Sequence, residues 1–311
     1  MSVFLEVLEP GLLTTVQDLG RVGYQRWGIP TAGAMDPFAL KAANALVGNP
    51  PAAACLEITL QGPRIRFTEG CAIAVTGGDL GARLDGWELE LWRRRLVSPG
   101  SVLDFTGRRS GARAYLAVSG GIGVEPWLGS RSTYLMASVG GLEGRALRAG
   151  DVLPVGPATL TLARPSIPPE RRPPYGGEPT VRVVLGPHSD RFTQEGIEAF
   201  LSGSYQVTPS SNRMGYRLEG PRIAHTRGPD LISCGIPFGG IQVPGSGQPI
   251  ILMADHQTAG GYTMIATVIQ ADIPLVAQVL PGEKLRFKAV GLEEARQSLR
   301  RLEEGLRAAV S

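Results

Sequence analysis

Residues 254–264 read ADHQTAGGYTM, and four of the first five positions carry groups that move protons or make hydrogen bonds. Asp255 is a candidate base or proton-positioning group. Gln257, Thr258 and Tyr262 offer an amide, a hydroxyl and a phenol to a ligand, while Gly260 and Gly261 permit positive φ or close approach of another segment. Further upstream, in SNRMGY, Arg213 is a planar two-donor fork suited to a carboxylate or phosphate, with Asn212 as an adjacent amide donor and Tyr216 closing the motif. The same residues also fit a plainer role: a polar hairpin loop with a local Asx interaction at Asp255, an interstrand arginine, and a tyrosine that packs its ring. If the backbone at 255–257 is extended, Asp255 and Gln257 share one face and His256 takes the other.

The elements that must position these groups are strands. IQVPGSGQPIILM before the polar run and IATVIQ after it are rich in β-branched residues and bounded by Pro and Gly. The whole chain has this character: 311 residues with 42 Gly, 25 Pro and only 19% charged residues describe many short strands joined by tight turns. Two helices stand out. Asp36 caps and Pro37 opens FALKAANALV, with Gly48 as its stop. Near the C-terminus, Leu292, Ala295, Leu299, Leu302 and Leu306 alternate at spacings of three and four, a stripe that lies on its own domain or docks a partner. A shorter helix is expected over 193–201, capped by Thr193 and weakened by Gly196.

RVGY, GPRI and PGSVLDF in the first half reappear in order as RMGY, GPRI and PGEKLRF in the second, consistent with an internal duplication. Between the halves, ARPSIPPERRPPYGGEP cannot continue a helix or a ladder. The expected organisation is a domain over 1–165, a linker over 166–178 and a second domain over 179–311.

A net charge of +3 without long basic runs advertises neither nucleic acid nor a membrane surface. Three dispersed cysteines argue against a disulfide framework, and three dispersed histidines without HExxH spacing argue against a metal site. The cysteine usage fits a reducing cytoplasm, and the lack of a basic segment followed by a long apolar run at the start of the chain suggests no export. Neither GxxxxGK[ST] nor GxSxG is present, and SGG at 119–121 reads as a strand-ending turn.

TTVQDLGRVGYQRWGIPTAGAMDPFALKAANALVGN, LEITLQGP, VLGPHSDRF, SNRMGYRLEGP and GGIQVPGSGQPIILMADHQTAGGYTMIATV occur in this order. Together they resemble the allophanate hydrolase subunit 2 family, also called KipA-like or biotin-dependent carboxyltransferase-like, which includes the C-subunit of prokaryotic 5-oxoprolinase. The resemblance covers residues 3–288. It implies a mainly β fold of two cyclophilin-like β-barrel domains with a few peripheral helices, which agrees with the duplication. It also implies a KipI-like (allophanate hydrolase subunit 1) partner and a LamB/YcsF-type subunit, with ATP bound by one of the chains. The activity implied is ATP-dependent opening of 5-oxo-L-proline to L-glutamate in a multi-subunit complex.

Two other functions stay open from the resemblance: the carboxyltransferase half of a urea-carboxylase-like enzyme, which would bring biotin, and a non-catalytic antagonist of a KipI-like inhibitor. The chain holds no AMKM biotinylation motif and no biotin carboxylase signature, which favours the first reading. Thr263 and His188 stand where relatives often carry Pro and Gln. In the first half Asp18, Arg21, Asp36, Asn44 and Glu57 lie in family motifs and rank below the second-half residues.

Overall fold

The computed structural model describes residues 3–158 and 166–310. It divides into two compact units, one built from the segment before Val22, Ala32–Tyr175 and the last turns of the C-terminal helix from Glu304 on, the other from Val22–Thr31 and Gly176–Glu303. The expected boundary at 165 thus lies outside the described residues, and the contacts change over at Tyr175.

In the first unit the strands fall in two sheets. One runs in the order Val152–Pro154, Phe4–Glu9, Arg64–Phe67, Val102–Phe105, Ala82–Leu84, Trp87–Glu88; the other runs Leu13–Gln17, Cys55–Thr59, Ser110–Val118, Cys71–Asp79, Arg94–Val97. Alternation turns one face of each sheet inward: Leu5, Val7, Ile65, Phe67 and Leu103 from the first meet Val16, Leu56, Ile58, Val75, Leu116 and Val118 from the second in one core. The barrel expected here takes the form of two sheets sharing a core. Helix α1 (Pro37–Leu46) begins as expected, with Asp36 Oδ1 accepting from the amide of Ala39 at 2.9 Å and Gly48 at φ 77° after its end. The SGG turn also holds: Ser110–Val118 ends there, with Gly120 at φ 99° and Gly121 at 71°.

The proline-rich segment is not a free linker. Ile167 is fully buried and donates its amide to the carbonyl of Trp92 at 2.9 Å, Arg172 lies over the Trp92 ring, and Tyr175 donates to Asp36 Oδ2 at 2.6 Å. Residues 166–175 therefore belong to the first unit, because prolines restrict backbone angles without dictating where the chain lies.

The second unit is a closed seven-stranded barrel in the order Thr180–Leu185, Met264–Val268, Gly240–Gln242, Ile250–Leu252, Gly215–Glu219, Ser204–Val207, Lys284–Ala289. The last strand pairs in parallel with the first. Helix α2 (Gln194–Ser202) is capped by Thr193 Oγ1, which accepts from Gly196 N at 3.0 Å. Gly196 is required by packing, since a Cβ there would stand 2.6 Å from the carbonyl oxygen of Ala224. After the five-residue helix α3 (Ile273–Ala277), the C-terminal helix α4 (Leu292–Val310) is tied down by Arg182, which bonds Ser298 Oγ at 2.7 Å and forks onto Asp272. Ala295, Leu299, Leu302 and Leu306 are half-buried while Leu292 is exposed.

Of the three repeated patterns only the last sits alike in both units, opening Val102–Phe105 and Lys284–Ala289. GPRI enters a strand at Arg64–Phe67 but is irregular at 220–223. Among the described residues no helix is long and apolar enough to cross a membrane.

Candidate functional site

Register decides what the second barrel shows to the outside. Tyr216 pairs with Ile251 and Ile251 with Ile241; these three are 3%, 0% and 0% exposed and face the barrel interior. One residue further along, Arg217 pairs with Ile250 and Ile250 with Gln242, so this row stands on the opposite, outer face. There the row forms part of the wall of a cavity of about 700 Å³, completed by Thr208, Ser210, Asn212, Ser246, Gln248, Gln257 and Tyr262. Met214, Pro244, Pro249 and Leu252 give the lining an apolar part, and it carries one cation, Arg217, and one acid, Glu219. A partly apolar lining with a few placed polar groups suits a small polar ligand.

Asn212, Gln257 and Tyr262 thus meet at one cavity, as the sequence suggested. Asn212 Oδ1 is engaged by the amide of Met214 at 2.8 Å, an Asx turn that directs its side-chain nitrogen away from that contact. Tyr216, expected to bind substrate, does not line the cavity; alternation sends its ring into the core, away from a ligand there. Thr258 also lies off the wall, its carbonyl accepting from Ile236 N.

Arg213 and Asp255 do come together, but behind the wall. Arg213 Nε and Nη2 meet Asp255 Oδ2 and Oδ1, each at 2.9 Å, and the residues are 6% and 2% exposed. Asp255 N also bonds the carbonyl of Arg213, at 2.9 Å. A carboxylate engaged through both oxygens by a guanidinium is already spoken for as a base; the geometry makes this pair a brace holding the loop of Gln257 to the segment of Asn212. The expected alternation at 255–257 does not apply, because Ala254–Asp255 form a turn with His256 N bonded to the carbonyl of Met253. His256 is buried, its Nδ1 lies 2.6 Å from the carbonyl of Gln257, and burial holds its pKa below the usual imidazole value.

Gly260 and Gly261 lie within strand Ala259–Tyr262, and neither has positive φ. Close approach is what they provide: a Cβ on Gly260 would stand 2.7 Å from Gln242 Nε2, and one on Gly261 3.0 Å from the carbonyl oxygen of Leu231. Sequence reading missed Gln242 and Arg217. The available signal was a lone amide in the apolar strand GGIQV and a charged residue alternating with Tyr216 and Leu218.

The carboxyltransferase domain family, subdomains A and B, matches residues 27–289. The chain belongs to that family. This carboxyltransferase-family chain is 41% identical over 297 residues to the 5-oxoprolinase C-subunit of Escherichia coli (strain K12), covering 94% of this chain and 93% of that one. It is 37% identical over 315 residues to the urea amidolyase of Lachancea kluyveri, where it covers 94% of itself but 17% of the relative. Its fold matches the crystal structure of the K. lactis urea amidolyase with a TM-score of 0.92 at 33% identity, over 98% of this chain and 20% of that one. The chain therefore spans nearly the whole of one relative and about a fifth or less of the other two.

The two departures from the family pattern are absorbed locally. His188 Nδ1 accepts from Met264 N at 3.1 Å, and buried Thr263 bonds His225 Nε2 at 3.0 Å. The first-unit candidates are framework. Asp18 accepts from Ser130 Oγ, Ser132 Oγ and Arg131 N; buried Arg21 reaches the carbonyl of Ser132 and lies over Trp127; Asn44 donates to the carbonyl of Ala53. Glu57 accepts from Tyr115 Oη at 2.7 Å and Met35 N at 2.9 Å, and burial followed by the Glu57 charge pushes the Tyr115 phenol well above its ordinary pKa, so it remains a donor. Tyr175→Phe removes a donor from the buried Asp36 carboxylate; hydrogen bonds to charged groups contribute about 1.5–3 kcal/mol, so the urea midpoint of the full chain should fall accordingly with its m-value unchanged.

Proposed function

We propose that this chain is a subunit of an ATP-dependent 5-oxoprolinase that opens the lactam of 5-oxo-L-proline to L-glutamate within a complex. The observation that carries the reading is the end-to-end match to the 5-oxoprolinase C-subunit, which leaves little of either chain unaligned. The cavity supports it: one guanidinium without an ion-pair partner among the described residues, an apolar part of the lining and several amides fit a compact ligand with a carboxylate, a ring and an amide edge.

A lactam carbon is a poor electrophile, and ATP supplies the phosphoryl group that activates its oxygen. Water then adds to that carbon and the ring nitrogen leaves, giving an acyl phosphate that a second water hydrolyses to glutamate and phosphate. In this proposal the chain's own residues bind and orient. Arg217 anchors the carboxylate, Asn212, Gln257 and Tyr262 bound the ring, and the Arg213–Asp255 brace fixes the loop that carries Gln257. The cavity wall has a single arginine and no phosphate-cradling loop, so the nucleotide is assigned to a partner, of KipI-like or LamB/YcsF-type character. A cytoplasmic complex fits the family resemblance.

The fold match to urea amidolyase favours one second reading, a carboxyltransferase unit served by a biotin carrier on another chain. The test is co-expression with the two partner subunits and measurement of 5-oxoproline-dependent ADP and glutamate formation. Turnover lost on omitting this chain supports the first reading; an assembled, inactive complex that accepts carboxyl groups from carboxybiotin supports the second.

A further inference from the structure

Gln242 is 2% exposed, lies on the cavity wall, and its Nε2 has no hydrogen-bond partner. A buried amide donor left without a partner is costly, so it requires an explanation. The surroundings show a place kept for this side chain. Gly260 leaves the room it occupies, since a Cβ there would lie 2.7 Å from Nε2, and Ile236 Cδ1 would lie 3.3 Å from the same Cβ. Across the sheet Gln242 is in register with Ile250, and Ile250 with Arg217. Two strand spacings put the backbones of Gln242 and Arg217 about 10 Å apart, with the isoleucine side chain between them. Arg217 makes no ion pair among the described residues.

We propose that Gln242 is the specificity-determining residue of this cavity, pairing its carboxamide with the cis-amide edge of a carboxylated lactam whose carboxylate is held by Arg217 and whose ring methylenes rest on Ile250. A lactam is locked cis, so its N–H and C=O point the same way and complement a primary carboxamide by two parallel hydrogen bonds. An open-chain secondary amide is trans and presents only one of them on that edge. A saturated ring acid such as proline keeps the carboxylate and the ring face but lacks the carbonyl. A site built to hydrogen-bond a polar group discriminates strongly against an analogue without it. This deepens the proposed function and rests on that reading for the identity of the lactam.

The test is calorimetric titration of 5-oxo-L-proline and of L-proline into the full chain, alone and assembled with its partner subunits, for the wild type, Gln242→Leu and Gly260→Ala. Gln242→Leu removes an unsatisfied group at nearly constant shape and should fold. It is expected to weaken 5-oxo-L-proline binding by at least tenfold and L-proline binding by less than twofold. Gly260→Ala, which displaces the carboxamide, should reproduce the lactam-specific loss. In turnover by the complex the same variants should raise KM by a similar factor with kcat changed less than threefold.

Equal affinity of wild type and Gln242→Leu for 5-oxo-L-proline overturns the inference and leaves the functional reading intact. So does turnover by a complex in which this chain, free or assembled, contributes nothing to lactam binding. Failure of the wild-type complex both to bind and to turn over the lactam overturns the two together.

Discussion

Asp255→Ala should lower the unfolding free energy of the second unit by about 3–5 kcal/mol, the range for removing one partner of a buried ion pair. The cost arises on the arginine side: Arg213 is 6% exposed, its Nε and Nη2 donate to the two carboxylate oxygens, and the variant leaves that charge buried without its counterion. Arg213→Met should be comparably destabilising, because it strands a carboxylate instead. The double variant Arg213→Met/Asp255→Ala should recover most of the loss, since apolar replacement of both partners removes the stranded charge together with the pair. Urea unfolding of the wild-type chain, the two single variants and the double variant measures the coupling directly. A single variant that unfolds within about 1 kcal/mol of wild type but abolishes turnover of the complex would instead make Asp255 a chemical participant.

Gly120→Ala should cost the first unit about 3 kcal/mol or more, from backbone strain of about 1–3 kcal/mol added to a steric clash. Gly120 has φ 99°, and a Cβ built on it would stand 2.0 Å from the carbonyl oxygen of Gly156, a backbone atom that no rotamer change can move. Its amide also donates to Asn49 Oδ1 at 2.8 Å, so the turn cannot shift without breaking a partly buried hydrogen bond. Gly100→Ala is the matched control. It too has positive φ, 83°, but nothing lies within 4 Å of an added Cβ, so only the left-handed conformational cost of about 1–2 kcal/mol applies. The thermal midpoints of the two variants should separate clearly; equal midpoints would show that the Gly156 strand end yields.

What could be read in advance depended on how local its cause was. Helices α1 and α2 were legible because their caps, Asp36 and Thr193, act within three residues of themselves. The polar turn at 254–258 was legible because apolar strands flank it on both sides. Gln242 was not, because its importance follows from facing outward beside Ile250 and beneath Gly260, and such register is a property of pairs of strands. Tyr216 was misplaced for the opposite reason: it belongs to a suggestive motif, but its strand begins one residue earlier and alternation turns it inward. The proline-rich segment misled because composition reports stiffness, whereas the burial of Ile167 is a tertiary fact.

The parallel pairing that completes the second barrel joins Thr180 to Arg286 and Val183 to Ala289, so the unit's first strand has its closing neighbour more than a hundred residues later. Loop closure on that scale precedes any gain from the contact, which places the seam among the slow, high-contact-order steps of folding. On the ribosome, strand Thr180–Leu185 emerges long before its parallel partner exists, and its edge stays open for pairing elsewhere until Lys284–Ala289 arrives. A chain truncated before residue 284 would carry every cavity residue and still lack the strand that shuts the ring.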